Sequence, residues 1–246
     1  MQERFSPGTP LPAALGALAV AAFVASPLLA PEFRGYDADL FPVPQDRPPV
    51  QPAGYAFGIW GVIYLWLLAH AAFGLWARRG AAHWDTVRWP LILSLGPGAF
   101  WLAIAGVAPV AATVLIFWML GTALIALWRC PAKGCDRWLL QAPVALYAGW
   151  LTAASCVSLG LVLGGFGLTG STGAAVVALA VAIATAGAMQ LARPRAPEYG
   201  AAVIWALVGV VVANAGGPFA VAASAGAGIA IMAALILRGA SGARSA

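Results

Sequence analysis

PAGYAFGIWGVIYLWLLAHAAF, Pro52 to Phe73, runs for twenty-two residues without an Asp, Glu, Lys or Arg. A helix rises about 1.5 Å per residue, so a run of this length covers the roughly 30 Å of hydrocarbon in a bilayer. It has no polar face, unlike the amphipathic helices of a soluble core. Proline at its start suits a first helical turn, where the missing N–H costs nothing. At 100° per residue Gly54, Gly58 and Gly61 fall on one narrow face, expected to press against another helix as small residues do in lipid. Phe57, Trp60 and Tyr64 share a second face, and Tyr55, Trp66, His70 and Phe73 a third.

The rest of the chain repeats the pattern. All 21 charged side chains lie between or beyond eight apolar stretches, at roughly 11–30, 53–77, 90–106, 108–128, 138–163, 172–192, 199–216 and 218–237. Hydrophobic residues make up 62% of the 246 positions and charged ones 9%, against about 25% charged in soluble domains. The fold class is therefore all-α, a polytopic membrane helix bundle of about eight transmembrane helices. The first stretch reads as a membrane helix rather than a cleaved leader, since its flank carries one Arg and one Glu and no A-x-A site precedes Pro31. Eleven basic residues fall in the tails and in the loops at 78–89, 129–137 and 193–198. The other side has only Arg34 and Arg47, in the 31–52 loop. The positive-inside bias then puts both termini in the cytoplasm and the 31–52 loop outside. That loop has five prolines between Pro42 and Pro52 and is expected to be extended and stiff, either as a lid over a cavity or as a spacer.

The net charge of +5 is no nucleic-acid footprint, because the basic residues are spread through short loops. No Asp, Glu, Lys or Arg falls within a span, which removes a buried carboxylate relay and the usual groups of ion-coupled transport, and no catalytic residue is assigned. His70 reads as a satisfied or interfacial histidine. Cys130 and Cys135 have C-x4-C spacing but no second ligand pair for zinc, so no metal site is expected. Cys156 reads as a packing residue, and Gln141, Gln190 and Asn214 as interhelical hydrogen-bonding groups. What remains at depth is aromatic surface, either packing or the wall of a pocket for a flat hydrophobic ligand. Besides the second stretch, Tyr147 and Trp150 follow Pro143 in the fifth, and Phe100–Trp101 and Phe117–Trp118 lie in the third and fourth.

Pro52–Tyr64, PAGYAFGIWGVIY, and Pro143–Ser155, PVALYAGWLTAAS, resemble the TspO/MBR family, the tryptophan-rich sensory proteins of bacteria and the translocator proteins of mitochondria. The resemblance covers about residues 10–165, the five-helix family fold with its external loop at 31–52. Three additional helices over 166–238, with Trp205 in IWALVG, look like the extension of a longer subfamily. Tails at 1–10 and 239–246 complete the layout. The resemblance implies a membrane binding or sensory protein for a hydrophobic, tetrapyrrole-like ligand such as a porphyrin, held by Tyr55, Phe57, Trp60, Tyr64, Tyr147 and Trp150. It also implies a bacterial inner (plasma) membrane. Two departures are visible: Phe57 and Trp60 stand one residue closer than in five-helix members, and Ser158 lies near the place of an expected asparagine. An ion-independent transporter of a small neutral solute and a non-catalytic assembly factor are the alternatives. Expected partners are the lipid bilayer and the hydrophobic small molecule, with a homodimer left open and nucleic acid excluded.

Overall fold

The computed structural model describes residues 10–29, 36–131, 134 and 136–244, with the side chains of 242–244 excepted. Arg4, Arg34, Lys133 and Cys135, which enter the charge count and the C-x4-C spacing, lie outside the described residues.

The described chain is helical and without strands: α1 (Leu11–Leu29), α2 (Ile59–Trp76), α3 (Ala82–Gly98), α4 (Trp101–Ala105), α5 (Pro109–Arg129), α6 (Gln141–Gly165), α7 (Ser171–Ala192), α8 (Pro197–Ala213) and α9 (Phe219–Arg244). Six apolar segments are long enough to cross a bilayer: α1, α2 with the turn before it, α5, α6, α7 and α9. The chain is a multi-pass membrane helix bundle. The third expected span is α3 continued by α4, and the seventh is the 17-residue α8.

α6 is the axis of the bundle. It packs against α5, α7 and α8, while α9 covers α7 and α8, and α3 joins α1 to α5. One hydrophobic core runs unbroken from Ala19 in α1 to Met232 in α9, so packing does not divide at residue 165. Small residues allow the closest approaches. Gly149 of α6 lies against the backbone carbonyl of Tyr199 in α8, and a Cβ on Gly228 of α9 would stand 2.7 Å from Ile183 of α7. Close packing of this kind holds helices together in lipid, where water exclusion between them supplies little.

The glycine stripe of the second stretch meets no other helix among the described residues of this chain. A Cβ on Gly54, Gly58 or Gly61 would meet nothing within 4 Å, so within this chain the stripe faces outward. The reason is the position of the helix: α2 packs mainly on α1 and more lightly on α6, at the edge of the bundle. The helical start also differs. Gly54–Gly58 is a 3₁₀ turn, and the α-helix begins at Ile59.

Prolines inside helices leave carbonyls unbonded, which is costly where water is absent. Side chains close these gaps. Pro27 offers no N–H to Phe23, and the Ser26 hydroxyl donates to that carbonyl instead at 2.8 Å. Pro97 likewise leaves the Leu93 carbonyl open, and the Trp118 indole N–H fills it at 2.9 Å. The chain breaks just after Pro97, between α3 and α4.

Charge does enter one helix, ahead of its apolar stretch. α3 begins at Ala82, so Asp85 and Arg88 lie within it, and Arg88 is only 3% exposed. Its guanidinium donates to Asp85 at 2.6 Å and to the carbonyls of Gly74 and Arg78 at 2.7 and 2.9 Å. A charge is tolerated there because it is paired and hydrogen-bonded. Asp136, before α6, accepts from Arg78 at 2.7 and 2.9 Å and from the Trp84 indole at 2.9 Å, tying the α2–α3 turn to the α5–α6 loop.

Candidate functional site

Residues 36–53 fold back over one end of the bundle. Phe41 packs on Gly165, and the backbone N–H of Val43 donates to the Gly165 carbonyl at 2.8 Å. Asn214 donates to the Pro49 carbonyl at 2.8 Å, and Ala53 N–H donates to the Gly209 carbonyl at 3.0 Å. Tyr36 and Ser158 share a hydroxyl hydrogen bond of 2.8 Å. Burial raises the Tyr36 phenol above its ordinary value, partly offset by its bonds to Ser158 and Thr113. By position residues 36–53 form a lid on that end, with Tyr36, Val50, Gln51 and Pro52 in the lining of one cavity. Its prolines suit the role, since they limit the conformations the loop can adopt when loose.

Two cavities share one wall, and the loop borders the smaller of them. The first, about 330 Å³, is an open pocket among α1, α2, α3–α4, α5 and α6, lined by Phe23, Trp60, Tyr64 and Met119 among others. The second, about 70 Å³, lies among α5, α6, α7, α8 and the lid, with Tyr36 and Val50 in its lining. Phe57, Trp101, Ile116, Trp150 and Ala154 line both. Among the described residues, no Asp, Glu, Lys, Arg or His lines either one.

The aromatic rings form a connected set. Trp60 stacks on Tyr64 at 5.3 Å, and both meet Phe23 edge to face at 5.8 Å. Trp150 stands edge-on to Phe57 at 5.9 Å and to Trp60 at 6.1 Å. Such pairs contribute about 0.5–1.5 kcal/mol each beyond area burial and hold the rings in place. The Trp150 indole is 2% exposed, yet its N–H has no hydrogen-bond partner among the described residues. Leaving a buried donor unpaired costs about 1–3 kcal/mol. A ligand carrying an acceptor would recover that energy.

Four of the six expected ligand residues, Phe57, Trp60, Tyr64 and Trp150, line the larger cavity. Tyr147 does not. It is fully buried behind Phe23, ring centroids 5.8 Å apart, and its hydroxyl donates to Ser94 at 2.9 Å. Tyr55 does not either. It is 48% exposed and packs edge-on against Trp205 of α8 at 5.6 Å, on a different side from Phe57, Trp60 and Tyr64, as its separate face in the sequence implies. The Trp205 indole donates to the Ala56 carbonyl in the same turn at 2.8 Å, so Trp205 anchors the entry to α2.

Two more aromatics complete the wall: Phe23, which the sequence did not single out, and Trp101, one of its candidate wall residues. Phe23 comes from α1, where a single aromatic beside Ser26–Pro27 was the available signal. Trp101 is hydrogen-bonded to the Ala112 carbonyl at 2.9 Å, whereas its neighbour Phe100 points outward. Trp118 is likewise largely outward-facing. His70 lies far from this chemistry. It is buried, its Nδ1 is 2.7 Å from the Leu139 carbonyl, and its ring stacks on Trp84 at 5.0 Å.

Among known families, the one described as TSPO-like protein matches residues 45–238. The match takes in the lid from Gln45 onward, the shared wall and the helices after residue 165. No curated protein matches the chain, and no solved structure does.

Proposed function

The chain belongs to the TSPO-like protein family, and from there we propose that it binds a neutral hydrophobic molecule in the aromatic cavity, as a sensor or carrier of that molecule. The observation that carries this reading is the Trp150 indole N–H, buried without a partner in the wall common to both cavities. The flat faces of Trp60 and Phe57 suit a planar ring system, and the indole N–H suits a carbonyl or ether oxygen on it. An ionised carboxylate inside the cavity would find no cation among the described residues, and burying it unpaired is strongly unfavourable. A tetrapyrrole is therefore a better fit as its neutral ester than as its diacid, unless its acids stay at the mouth. On this reading the protein sits in a bacterial inner membrane with both termini cytoplasmic.

The test is a fluorescence titration of the full-length protein in detergent with a porphyrin dimethyl ester and with the free diacid. Saturable quenching by the ester, weakened by Trp60→Ala and at least tenfold weaker for the diacid, is the expected result. Quenching that never saturates, or that ignores Trp60→Ala, contradicts it. Vesicles loaded with the ester separate carrier from sensor: saturable efflux indifferent to ion gradients marks a carrier.

A further inference from the structure

The arginine-rich end of the bundle holds another cavity, remote from the aromatic one. It opens to about 490 Å³ between the α7–α8 turn and the later part of α9. Gln141, Gln190, Arg193, Arg195, Arg238 and Gly239 line it, together with Leu191 and Leu235, and no acidic side chain does among the described residues. Three guanidinium groups around one hollow make a strongly anion-attracting site.

The arginines are not equally engaged. Arg193 donates to the backbone carbonyls of Trp128 and Cys130, which holds the turn against the α5–α6 loop. The guanidinium groups of Arg195 and Arg238 make no hydrogen bond or ion pair among the described residues. The acid nearest in sequence, Glu198, is paired with Arg137 at 2.5 Å.

Gln190 provides an independent observation. It is 1% exposed, and its Nε2 donates to the Arg193 carbonyl at 3.3 Å. That bond sets the amide orientation, because turning it over would place oxygen against oxygen. Its Oε1 then has no partner. An alanine at Gly200 would put a Cβ 2.6 Å from this oxygen, so the glycine keeps room for the buried amide.

We infer that this cavity binds an anionic phosphate ester that also carries a hydroxyl group, Arg195 and Arg238 holding the phosphate and Gln190 Oε1 accepting from the hydroxyl. Guanidinium groups bind phosphate through charge-assisted, often paired hydrogen bonds, and basic hollows between membrane helices take anionic headgroups. A glycerol-phosphate lipid headgroup and a soluble phosphate ester share this chemistry. Leu191 and Leu235 offer a surface that only an acyl-bearing ligand would use.

The experiment is native mass spectrometry of the full-length protein, delipidated in zwitterionic detergent and then given phosphatidylglycerol, phosphatidylcholine or glycerol 3-phosphate. A one-to-one phosphatidylglycerol complex is expected. Arg195→Gln with Arg238→Gln should reduce it at least tenfold, and Gln190→Leu should weaken phosphatidylglycerol more than phosphatidic acid. Complex formation with glycerol 3-phosphate at matched concentration would identify the soluble ester as the ligand; its absence would identify the lipid. If the double variant unfolds, exposed Arg238→Gln alone must still lower retention at least threefold. Equal retention of phosphatidylglycerol and phosphatidylcholine, or retention indifferent to the arginine variants, overturns the inference.

Discussion

Trp150 of α6 and Trp60 of α2 meet edge to face with ring centroids 6.1 Å apart, and this contact closes one side of the larger cavity. It also fixes where the unpaired Trp150 N–H stands. The same indole is thus a packing element and the strongest polar feature of an otherwise uncharged site.

Trp150→Phe keeps an aromatic ring and removes the N–H. Ligand affinity is expected to fall about fivefold, matching a hydrogen bond of about 1 kcal/mol. Thermal stability of the unliganded protein should hold or rise, because the unpaired buried donor is gone. Paired melting and titration curves check both halves; a fall in stability with unchanged affinity would assign Trp150 to packing alone.

Ser26→Ala should cost about 1–2 kcal/mol by exposing the Phe23 carbonyl that Pro27 leaves open. With Pro27→Ala also present, the backbone N–H returns and the cost of losing the hydroxyl should largely vanish. A double-mutant cycle in denaturant measures this coupling. Additive effects would mean that the serine does not compensate for the proline.

Asp85→Ala leaves Arg88 buried without its carboxylate partner, and a loss of about 3–5 kcal/mol is expected. Replacing both residues by apolar ones of similar size should recover most of it. Unfolding followed by tryptophan emission distinguishes these cases, and a mild effect of Asp85→Ala would show that the Gly74 and Arg78 carbonyls suffice to hold the guanidinium.

The Cys130 thiol, just beyond α5, is pushed from 9.0 up to about 12 by burial, with Arg193 opposing the shift in part. Its folded value lies above its unfolded one, so its contribution to stability is complete below about pH 9. It is lost as pH rises from there through about 12. Alkylation of Cys130 at pH 8 should accordingly be slow in the native protein and rapid once it is unfolded. Fast native labelling would contradict the buried placement.

The eight apolar runs were legible because length and charge exclusion are local properties that lipid enforces on each segment separately. The start of α3 was not legible, since Arg88 reads as a loop residue until Asp85 and two carbonyls are seen to neutralise it. Which glycines pack was hidden for a different reason. Gly54, Gly58 and Gly61 have the right spacing, but a helix at the edge of the bundle offers them no partner, while Gly149 and Gly228 meet one. In the site, the Phe57, Trp60 and Tyr64 face was legible from helical spacing, and the same spacing sets Tyr55 on another face, where it meets Trp205. Phe23 entered from a helix whose alanine-rich text gave little warning. Convergence of several helices on one cavity is a property of their packing, and no single run encodes it.

The most direct test is the indole N–H resonance of Trp150 in a ¹⁵N-tryptophan spectrum of the full-length protein, assigned through Trp150→Phe and followed as a porphyrin dimethyl ester is added. A downfield proton shift that saturates together with the fluorescence quenching is expected, as the buried donor gains an acceptor. A Trp150 signal that stays in place while the ester binds and other indoles move would place the ligand elsewhere and contradict the site.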